Sequence, residues 1–385
     1  MKKFALSSLS LALLGAAGAA HAQSSVTLYG VLDDSIQYVH NVTTSADPLT
    51  NKNLVGLFAG NLQGNRWGLK GTEDLGGGLK AIFQLENGFS PNNGTLGQGG
   101  KMFGRQAFVG LQSDQFGTVT LGRQYDPVVD LVQAVTADNY WGSTFTTPSD
   151  VDNNDNSSRT NNAIKYTSNT YSGFQFEAMY AFGGVAGSTG AGQTWSGAAT
   201  YSNGPFSLAA GYIRMDNSNT AAARAAGDPA GWNSTSDGTF NSINVPFASA
   251  KSIGIASVAG QYVIGPVTAG IRYSNAQYKA DSLSTFASTE RYNVGAGFVN
   301  YQLTPAALLG LGYTFTHGSG YGPSATYNQV SLGGDYNLSK RTDVYLIGVY
   351  QKASGTNVTA SAADYGYASD ATSQEIVSFG IRHKF

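Results

Sequence analysis

The feature that most constrains this chain is a recurring segment of roughly ten residues in which apolar and polar side chains alternate. It is clearest in 174–182, where the even positions are aromatic or Ala and the odd positions include Gln175 and Glu177. A period of two residues is typical of a β-strand with two different faces. Sixteen such segments and no segment of helical period occur, at 25–38, 61–71, 78–90, 101–113, 116–125, 158–168, 173–183, 194–203, 205–215, 250–264, 266–280, 290–304, 306–317, 325–338, 340–353 and 375–385.

The connectors between these segments alternate strictly between short and long. Short ones are turn-forming pairs such as Asn203-Gly204 and Gly265-Pro266. The long ones are rich in Asn, Ser, Thr, Gly and Asp and lie at 39–60, 91–100, 126–157, 184–193, 216–249, 281–289, 318–324 and 354–374. Tight turns at one end and long loops at the other predict a sixteen-stranded antiparallel transmembrane β-barrel, with short periplasmic turns and long external loops. A soluble β-sandwich has no reason to sort its loops in this way.

Composition supports a membrane barrel and excludes several other classes of protein. Only 12% of residues are charged, about half of the ~25% in an average soluble domain, while 12% are aromatic. That many aromatic side chains are better placed facing lipid than packed in a dry interior. Closing sixteen strands removes the unpaired edges that a bilayer cannot tolerate and leaves a water-filled lumen. With no Cys and a net charge of −2 from dispersed residues, thiolate chemistry and nucleic-acid binding are excluded.

The N-terminus is typical of a cleaved Sec signal peptide. Lys2 and Lys3 precede an apolar run, and Ala20-His21-Ala22 matches a small-x-small cleavage site. Residues 1–22 are therefore predicted to be removed, which leaves 23–385 as a single barrel domain with 20 basic and 24 acidic residues, a net charge of −4. The expected location is the outer membrane of a Gram-negative cell.

Several longer strings resemble the general trimeric porins of the Gram-negative outer membrane, especially the β-proteobacterial branch. These strings are Ser25–Asp33 (SVTLYGVLD), Asn65–Ala81 (NRWGLKGTEDLGGGLKA), Gly104–Leu111 (GRQAFVGL), Phe116–Gln124 (FGTVTLGRQ) and the terminal Phe385. The resemblance covers the whole mature chain and is strongest from 25 to 166. It implies three barrels per assembly and, in each barrel, a third long loop folded inward to narrow the pore.

The resemblance also implies a pore constriction in which Arg residues on the wall face acids on the inward loop, here 126–157. The matching wall positions are Arg66, Arg105 and Arg159. Arg66 and Arg159 also fall on the polar face of their own strands, whereas the face of Arg105 is ambiguous.

The acidic side of the constriction departs from the enterobacterial pattern, because the string Pro-Glu-Phe-Gly is absent. The loop carries six Asp residues and no basic residue. Asp130 and Asp138 are nearest its middle and are assigned to the constriction. Asp150, Asp152 and Asp155 belong to an Asn-rich return segment and are expected to be solvated.

The leading functional interpretation is a passive diffusion channel for small hydrophilic solutes and ions, with a weak preference for anions. A solute-specific channel is an alternative, since Tyr140 and Trp141 in the inward loop could contact a sugar. A surface adhesin or antigen acting through its long loops, above all 216–249, is another alternative.

No catalytic, cofactor or metal site is expected. No Ser or Asp lies in sequence where it could form a catalytic group with His40, His317 or His383. Besides the solutes, the expected partners are two further copies of the chain in a homotrimer, membrane lipid and lipopolysaccharide, and the barrel-assembly machinery. Phe385, at the end of a strand that must pair with the first strand, is interpreted as the signal for assembly.

Overall fold

Antiparallel backbone hydrogen bonds join each strand of the chain to its neighbours. The computed structural model describes residues 25–44, 47–217, 232 and 242–385, so the predicted signal peptide lies outside the described residues. The strands are β1 (Ser25–Thr44), β2 (Asp47–Ala59), β3 (Arg66–Gly76), β4 (Leu79–Gly88), β5 (Gln106–Ser113), β6 (Gly117–Gln124), β7 (Thr160–Thr167), β8 (Phe174–Ala181), β9 (Thr194–Asn203), β10 (Phe206–Asp216), β11 (Ser252–Ile264), β12 (Val267–Lys279), β13 (Glu290–Thr304), β14 (Ala307–Ser319), β15 (Ala325–Asn337), β16 (Thr342–Ser354) and β17 (Ser373–Lys384).

The barrel closes where β17 pairs with β1. The register runs from Val31 opposite Lys384 to His40 opposite Glu375. The chain end continues the ladder, because the Phe385 N–H donates to the Gly30 carbonyl at 3.1 Å and the Gly30 N–H donates to the Phe385 carbonyl at 3.0 Å. The predicted antiparallel barrel, and the pairing of its last strand with its first, are confirmed.

β2 and β3 together form one interrupted strand of the barrel, because both pair with β1. The first half of β1 pairs with β3, and its second half pairs with β2. Asp34 lies opposite Ala59 while Val31 lies opposite Arg66, so residues 60–65 leave the ladder as an insert within a single strand. Counting β2 and β3 as one therefore gives the sixteen strands predicted. The predicted long connector 39–60 is wrong, because this polar segment continues the strands in a long hairpin.

The two faces of the barrel carry opposite chemistry. On β6, Val119 and Leu121 are exposed on the outer face and Thr120 is buried on the inner face; on β8, Phe176 is exposed and Glu177 is buried. The apolar positions of the alternation therefore face outward, as expected for a barrel in lipid. Exposed aromatic side chains also mark the turn end of the outer face, among them Tyr201, Phe206, Tyr262, Tyr301 and Tyr336.

The long connector 126–157 lies inside the barrel. It contains two short helices, α1 (Pro127–Leu131) and α2 (Asp138–Trp141), and 3-10 turns at Gln133–Val135, Gly142–Phe145 and Pro148–Asp150; a separate single turn lies at Gly97–Gly100. Its apolar side chains, such as Val132 and Val135, pack with Ile213, Ile253 and Ile255 of the wall. The loop therefore fills one side of the lumen with a dry core and leaves the opposite side polar. No helix in the described ranges is long and apolar enough to cross a bilayer.

Trp141 anchors the tip of this loop on the wall. Its side chain is 0% exposed, and its Nε1 donates to Asn300 Oδ1 at 2.8 Å. The ring lies where a Cβ on Gly310 or Gly333 would stand, 2.4 Å from ring atoms in both cases. Glycine is therefore required at these two inward positions for the loop to dock.

Candidate functional site

A polar cavity of about 390 Å³ separates the inward loop from the wall formed by β3 to β7. Three elements enclose it, namely the strand starts of the wall, the 60–65 insert and the loop. The lining residues are Gly60, Asn61, Leu62, Gln63, Gly64, Arg66, Glu86, Arg105, Tyr125, Gln133, Asp138, Asn139, Gly142, Ser143, Asp155, Asn156, Ser157 and Arg159. Four of the five residues assigned to the constriction from sequence are therefore brought together here.

The three arginines converge because each stands at the start of a strand. Arg66 is the first residue of β3, Arg105 immediately precedes β5, and Arg159 immediately precedes β7. Arg105 is backbone-bonded to the wall, since its N–H donates to the carbonyl of Glu86 at 3.2 Å. Its guanidinium donates to the Glu86 side chain and lines the cavity, so it lies on the inner side.

Glu86 of β4 is the centre of the wall cluster. Its carboxylate accepts a hydrogen bond from Arg105 Nε at 2.7 Å and lies 4.0 Å from Arg66 Nε. Tyr29 and Tyr125 also donate to it, at 2.7 and 3.1 Å. Sequence reasoning missed this residue, although its position on the polar side of a strand beside that of Arg66 is a usable signal.

Tyr125 separates two of the like-charged guanidinium groups. Its ring centroid lies 5.8 Å from Arg105 Cζ and 5.6 Å from Arg159 Cζ. Both contacts are within the range in which a cation is attracted to an aromatic face. The ring therefore offsets part of the repulsion between the two cations. With Glu86 ionised, the wall carries three positive charges and one negative charge.

Two carboxyl groups of the loop face this wall as an acid pair. Asp138 begins α2 and is buried, and its Oδ2 accepts a hydrogen bond from the Gln133 side chain. Asp155 Oδ2 accepts from Ser143 Oγ at 2.7 Å. Burial and the adjacent Asp155 raise the pKa of Asp138 well above its usual range, and burial also raises the pKa of Asp155. The pair consequently retains a proton under conditions where isolated carboxyl groups are ionised.

Asp150 and Asp152 of the return segment are buried, so the expectation that they are solvated is wrong, whereas Asp155 is half-buried and lines the polar cavity. Asp150 accepts the backbone N–H groups of Asp155 and Ser157 at 2.9 and 3.1 Å, and burial raises its pKa to about 8. Asp152 is buried in an ion pair with Arg272 of β12. Burial alone would raise the pKa of Asp152, but the positive charge of Arg272 acts in the opposite direction, and the net pKa is lowered. An Asn-rich segment gives no local sign that it turns inside a barrel.

Asp130 is not brought to the cavity. It lies in the first turn of α1 and forms an ion pair with Lys165 of β7, next to which stands Glu177 at 4.0 Å from the Lys165 Nζ. Its helix directs it towards β7 and β8, so it is the one residue of the five assigned to the constriction that does not line this cavity.

The 60–65 insert forms the rim of the cavity and was not anticipated from the sequence. Asp33 of β1 holds it, since its Oδ2 accepts the backbone N–H groups of Leu62 and Gln63 at 2.8 and 2.7 Å. The insert in turn holds the loop, because the Ser143 N–H donates to the Asn61 carbonyl at 3.1 Å. Gly142 beside it has φ +56°, and a Cβ there would be 2.2 Å from the same carbonyl oxygen.

The aromatic residues of the loop do not line the cavity. Trp141 is fully enclosed by the wall, and Tyr140 packs on Phe298 while its hydroxyl donates to Gln261 Oε1 at 3.1 Å. The two side chains that would support a sugar-specific channel are therefore used to dock the loop.

Comparisons with known proteins point to one family. The sequence model of the Gram-negative porin family matches residues 7–357. An outer membrane porin protein of Bordetella pertussis is 32% identical and outer membrane porin protein 32 of Delftia acidovorans is 31% identical, each over 100% of both chains. Among solved structures, an anion-selective porin from Comamonas acidovorans is 25% identical with a TM-score of 0.72, covering 94% of this chain and 100% of that one.

Proposed function

The chain belongs to the Gram-negative porin family and forms a channel in the outer membrane, and on that premise we propose that solutes pass through the polar cavity between Arg66, Arg105 and Arg159 and the acid pair Asp138 and Asp155. The inward loop 126–157 is then the constriction. The channel is passive, has no catalytic activity and weakly prefers small anions.

The imbalance of charge across the cavity carries this proposal. The wall bears three guanidinium groups against the single carboxylate of Glu86, and burial raises the pKa of both carboxyl groups of the facing acid pair, which disfavours their full ionisation. A permeating anion about 8 Å from one unpaired charge gains about 0.5 kcal/mol at the dielectric of water, or about 2 kcal/mol at an effective dielectric near 20. Such energies change relative permeability by a few-fold to tens of fold, which is enough to select weakly and too little to retain a solute.

The net charge of −4 expected for the mature chain does not decide the selectivity. Some of those acids, such as Glu73, Asp74 and Asp114, are exposed near turns, where physiological salt screens them over about 8 Å. The groups at the narrowest section are nearer to the ion and less screened. The similar protein of known structure from Comamonas acidovorans is an anion-selective porin, which supports a preference for anions here as well.

Reversal potentials in planar bilayers under a salt gradient test the proposal. The double variant Arg66→Glu and Arg159→Glu should move the reversal potential towards cation preference, and the shift should shrink as salt is raised. The matched control is Lys340→Glu with Arg341→Glu, the same change of charge on the exposed turn before β16. An unchanged reversal potential in the first variant, or an equal shift in the control, would exclude the cavity as the selective section.

We also propose the processing and assembly that the resemblance implies. Residues 1–22 are removed as a signal peptide, 23–385 inserts as one domain with the help of the barrel-assembly machinery, and three copies associate. Phe385 serves as the assembly signal, and lipopolysaccharide contacts the outer wall. An SDS-resistant band three times the mass of the heated chain, with an N-terminus at Gln23, is the expected observation on outer-membrane extracts.

A further inference from the structure

An apolar groove runs along the outer face of β10 to β14. Ile271 of β12 is 75% exposed while the neighbouring Arg272 is buried, so the odd positions of β12 face outward. The groove encloses about 780 Å³, and its exposed side chains include Leu208, Val258, Tyr262, Val299, Leu311 and Tyr313.

Glycines make the groove. Gly260 and Gly297 lie opposite Ile271 on either side, in the register of β11, β12 and β13. A Cβ on Gly297 would have no atom nearer than 3.7 Å, so the space above it is open. The groove is thus an open recess in an apolar wall, which an apolar chain can enter.

A band of amide side chains lies on the same face, directly towards the loop end. The Tyr273 hydroxyl, which lines the groove, donates to Asn293 Oδ1 at 2.9 Å, and Asn275 Nδ2 donates to the same oxygen at 2.9 Å. Tyr313 likewise donates to Asn328 Oδ1 at 2.7 Å. Tyrosines with one apolar side and one polar end are typical of the boundary between lipid and water. The amides therefore stand at the depth of the lipid head groups.

Three cations lie beyond the amides. Arg291 is exposed and lies opposite Gln277 in the register, two positions from Lys279 on the same face. Residues so placed on neighbouring strands are about 7–8 Å apart, within reach of one ligand. Lys251 is exposed beside them, and its backbone N–H donates to the Lys279 carbonyl at 2.8 Å.

Each of the nearby acids accepts a backbone N–H group, and Glu290 also interacts electrostatically with the adjacent Arg291. Glu290 accepts the Tyr321 backbone N–H at 2.8 Å, and Asp281 accepts the Leu283 N–H at 3.0 Å. In the part of the chain that the structure describes, Lys251, Lys279 and Arg291 form no side-chain ion pair.

We propose that this face binds one molecule of lipopolysaccharide through its lipid A end. An acyl chain fills the groove over Gly297, the sugar hydroxyls meet the amide band, and a phosphate is held by Lys279 and Arg291 with Lys251 beside them. The long-loop end of such barrels faces the cell exterior, so the cations stand at the leaflet that carries this phosphorylated glycolipid. In a phospholipid with a cationic head group, that cation would neutralise the charge of the phosphate, so the lipid would offer these three side chains no net negative charge. The inference rests on the outer-membrane location and gives the proposed lipopolysaccharide contact a specific site.

Native mass spectrometry of the delipidated, detergent-solubilised protein tests the site with three probes: diphosphoryl lipid A, its dephosphorylated form and phosphatidylglycerol. One diphosphoryl lipid A per chain is expected. The double variant Lys279→Gln and Arg291→Gln should weaken that binding by roughly tenfold and leave the dephosphorylated form unaffected. Gly297→Leu should weaken both forms, because it fills the groove.

Two controls keep the test independent of folding. Lys340→Gln with Arg341→Gln removes two cations from the opposite end of the barrel, and Gly348→Leu adds the same side chain to an outward position of β16; neither should change binding. Equal binding of phosphatidylglycerol, or unchanged lipid A binding in the cation and groove variants, would overturn the site. Channel conductance recorded on the same samples separates this failure from a failure of the proposed channel, which would abolish conductance in the unmodified protein.

Discussion

Arg105 and Glu86 form a buried ion pair in which Nε lies 2.7 Å from Oε1, and this contact sets the charge of the wall that faces the inward loop. Glu86 is 4% exposed and also lies within 4.0 Å of Arg66. One carboxylate thus holds two guanidinium groups in place and neutralises part of their charge. The arginines are fixed donors rather than flexible surface cations, which keeps the field across the cavity in one direction.

Replacing Glu86 by Gln is expected to increase anion preference. The change removes the carboxylate of the wall cluster and leaves the neighbouring guanidinium groups uncompensated. The reversal potential should therefore shift further towards anion preference, by the amount that corresponds to a few-fold rise in the ratio of anion to cation permeability. Breaking a buried pair costs about 3–5 kcal/mol, so the variant should also unfold at a lower denaturant concentration. Bilayer recordings and denaturant titration check the two effects. Glu177→Gln, a buried inward Glu paired with Lys165 outside the cavity, is the control and should lower stability without moving the reversal potential.

The acid pair should make selectivity depend on pH. Because burial raises the pKa of Asp138 and of Asp155, the pair keeps a proton to higher pH than isolated carboxyl groups do and loses it as the pH rises. The cavity then gains a negative charge, so anion preference should fall as the pH rises. Asp138→Asn removes the shared proton site and should flatten this dependence. Reversal potentials measured over a series of pH values test this prediction. A pH dependence that survives in Asp138→Asn would point to other groups, such as Asp150.

The same shifts give a sign for stability. A carboxyl group whose pKa is higher in the folded state binds more protons when folded, so its contribution favours folding at low pH and is lost as the pH rises through the folded value. For Asp150 that value is about 8, and it is raised by burial. The denaturant midpoint should therefore fall from about pH 4, near the ordinary pKa of an aspartate, to about pH 8, and Asp150→Asn should remove part of the fall. A midpoint that rises over this range would contradict the assignment.

The alternation of apolar and polar residues was sufficient to predict the inward-facing residues of the barrel wall. It was insufficient to predict the segments that fold into the lumen. The alternation around Arg66 and Arg159 places each on an inner face without reference to the rest of the chain, and the family resemblance added Arg105. Asp155 and Asp33, by contrast, act through contacts that the period of their own segments does not show. The position of Asp155 beside Asp138 depends on the loop turning back inside a barrel. Asp33 holds an insert that interrupts a strand without a Pro or a charge run to mark it. The amphipathic period describes only one strand at a time, so it contains no information about which loop enters.

Loosening the loop should widen and destabilise the channel. Trp141→Ala removes a fully buried side chain and its 2.8 Å hydrogen bond to Asn300, at a cost of about 3–5 kcal/mol. The freed tip should raise single-channel conductance and current noise. Tyr140→Phe is the control, because it removes only a hydroxyl on the neighbouring side chain. Equal conductance and noise in Trp141→Ala and the unmodified protein would mean that the 60–65 insert alone holds the loop.

Deleting Phe385 should reduce the amount of protein in the outer membrane and leave the conductance of the inserted molecules unchanged. The residue adds one pair of backbone hydrogen bonds with Gly30 to a ladder that already runs from Val31 to His40, so closure does not depend on it. If Phe385 acts as a signal for assembly, the deletion variant should refold from urea into detergent at nearly the normal yield while its level in cells falls. Heat-modifiable gel mobility measures both quantities. A refolding defect as large as the defect in cells would show instead that the terminal aromatic ring is needed for the packing of the barrel seam.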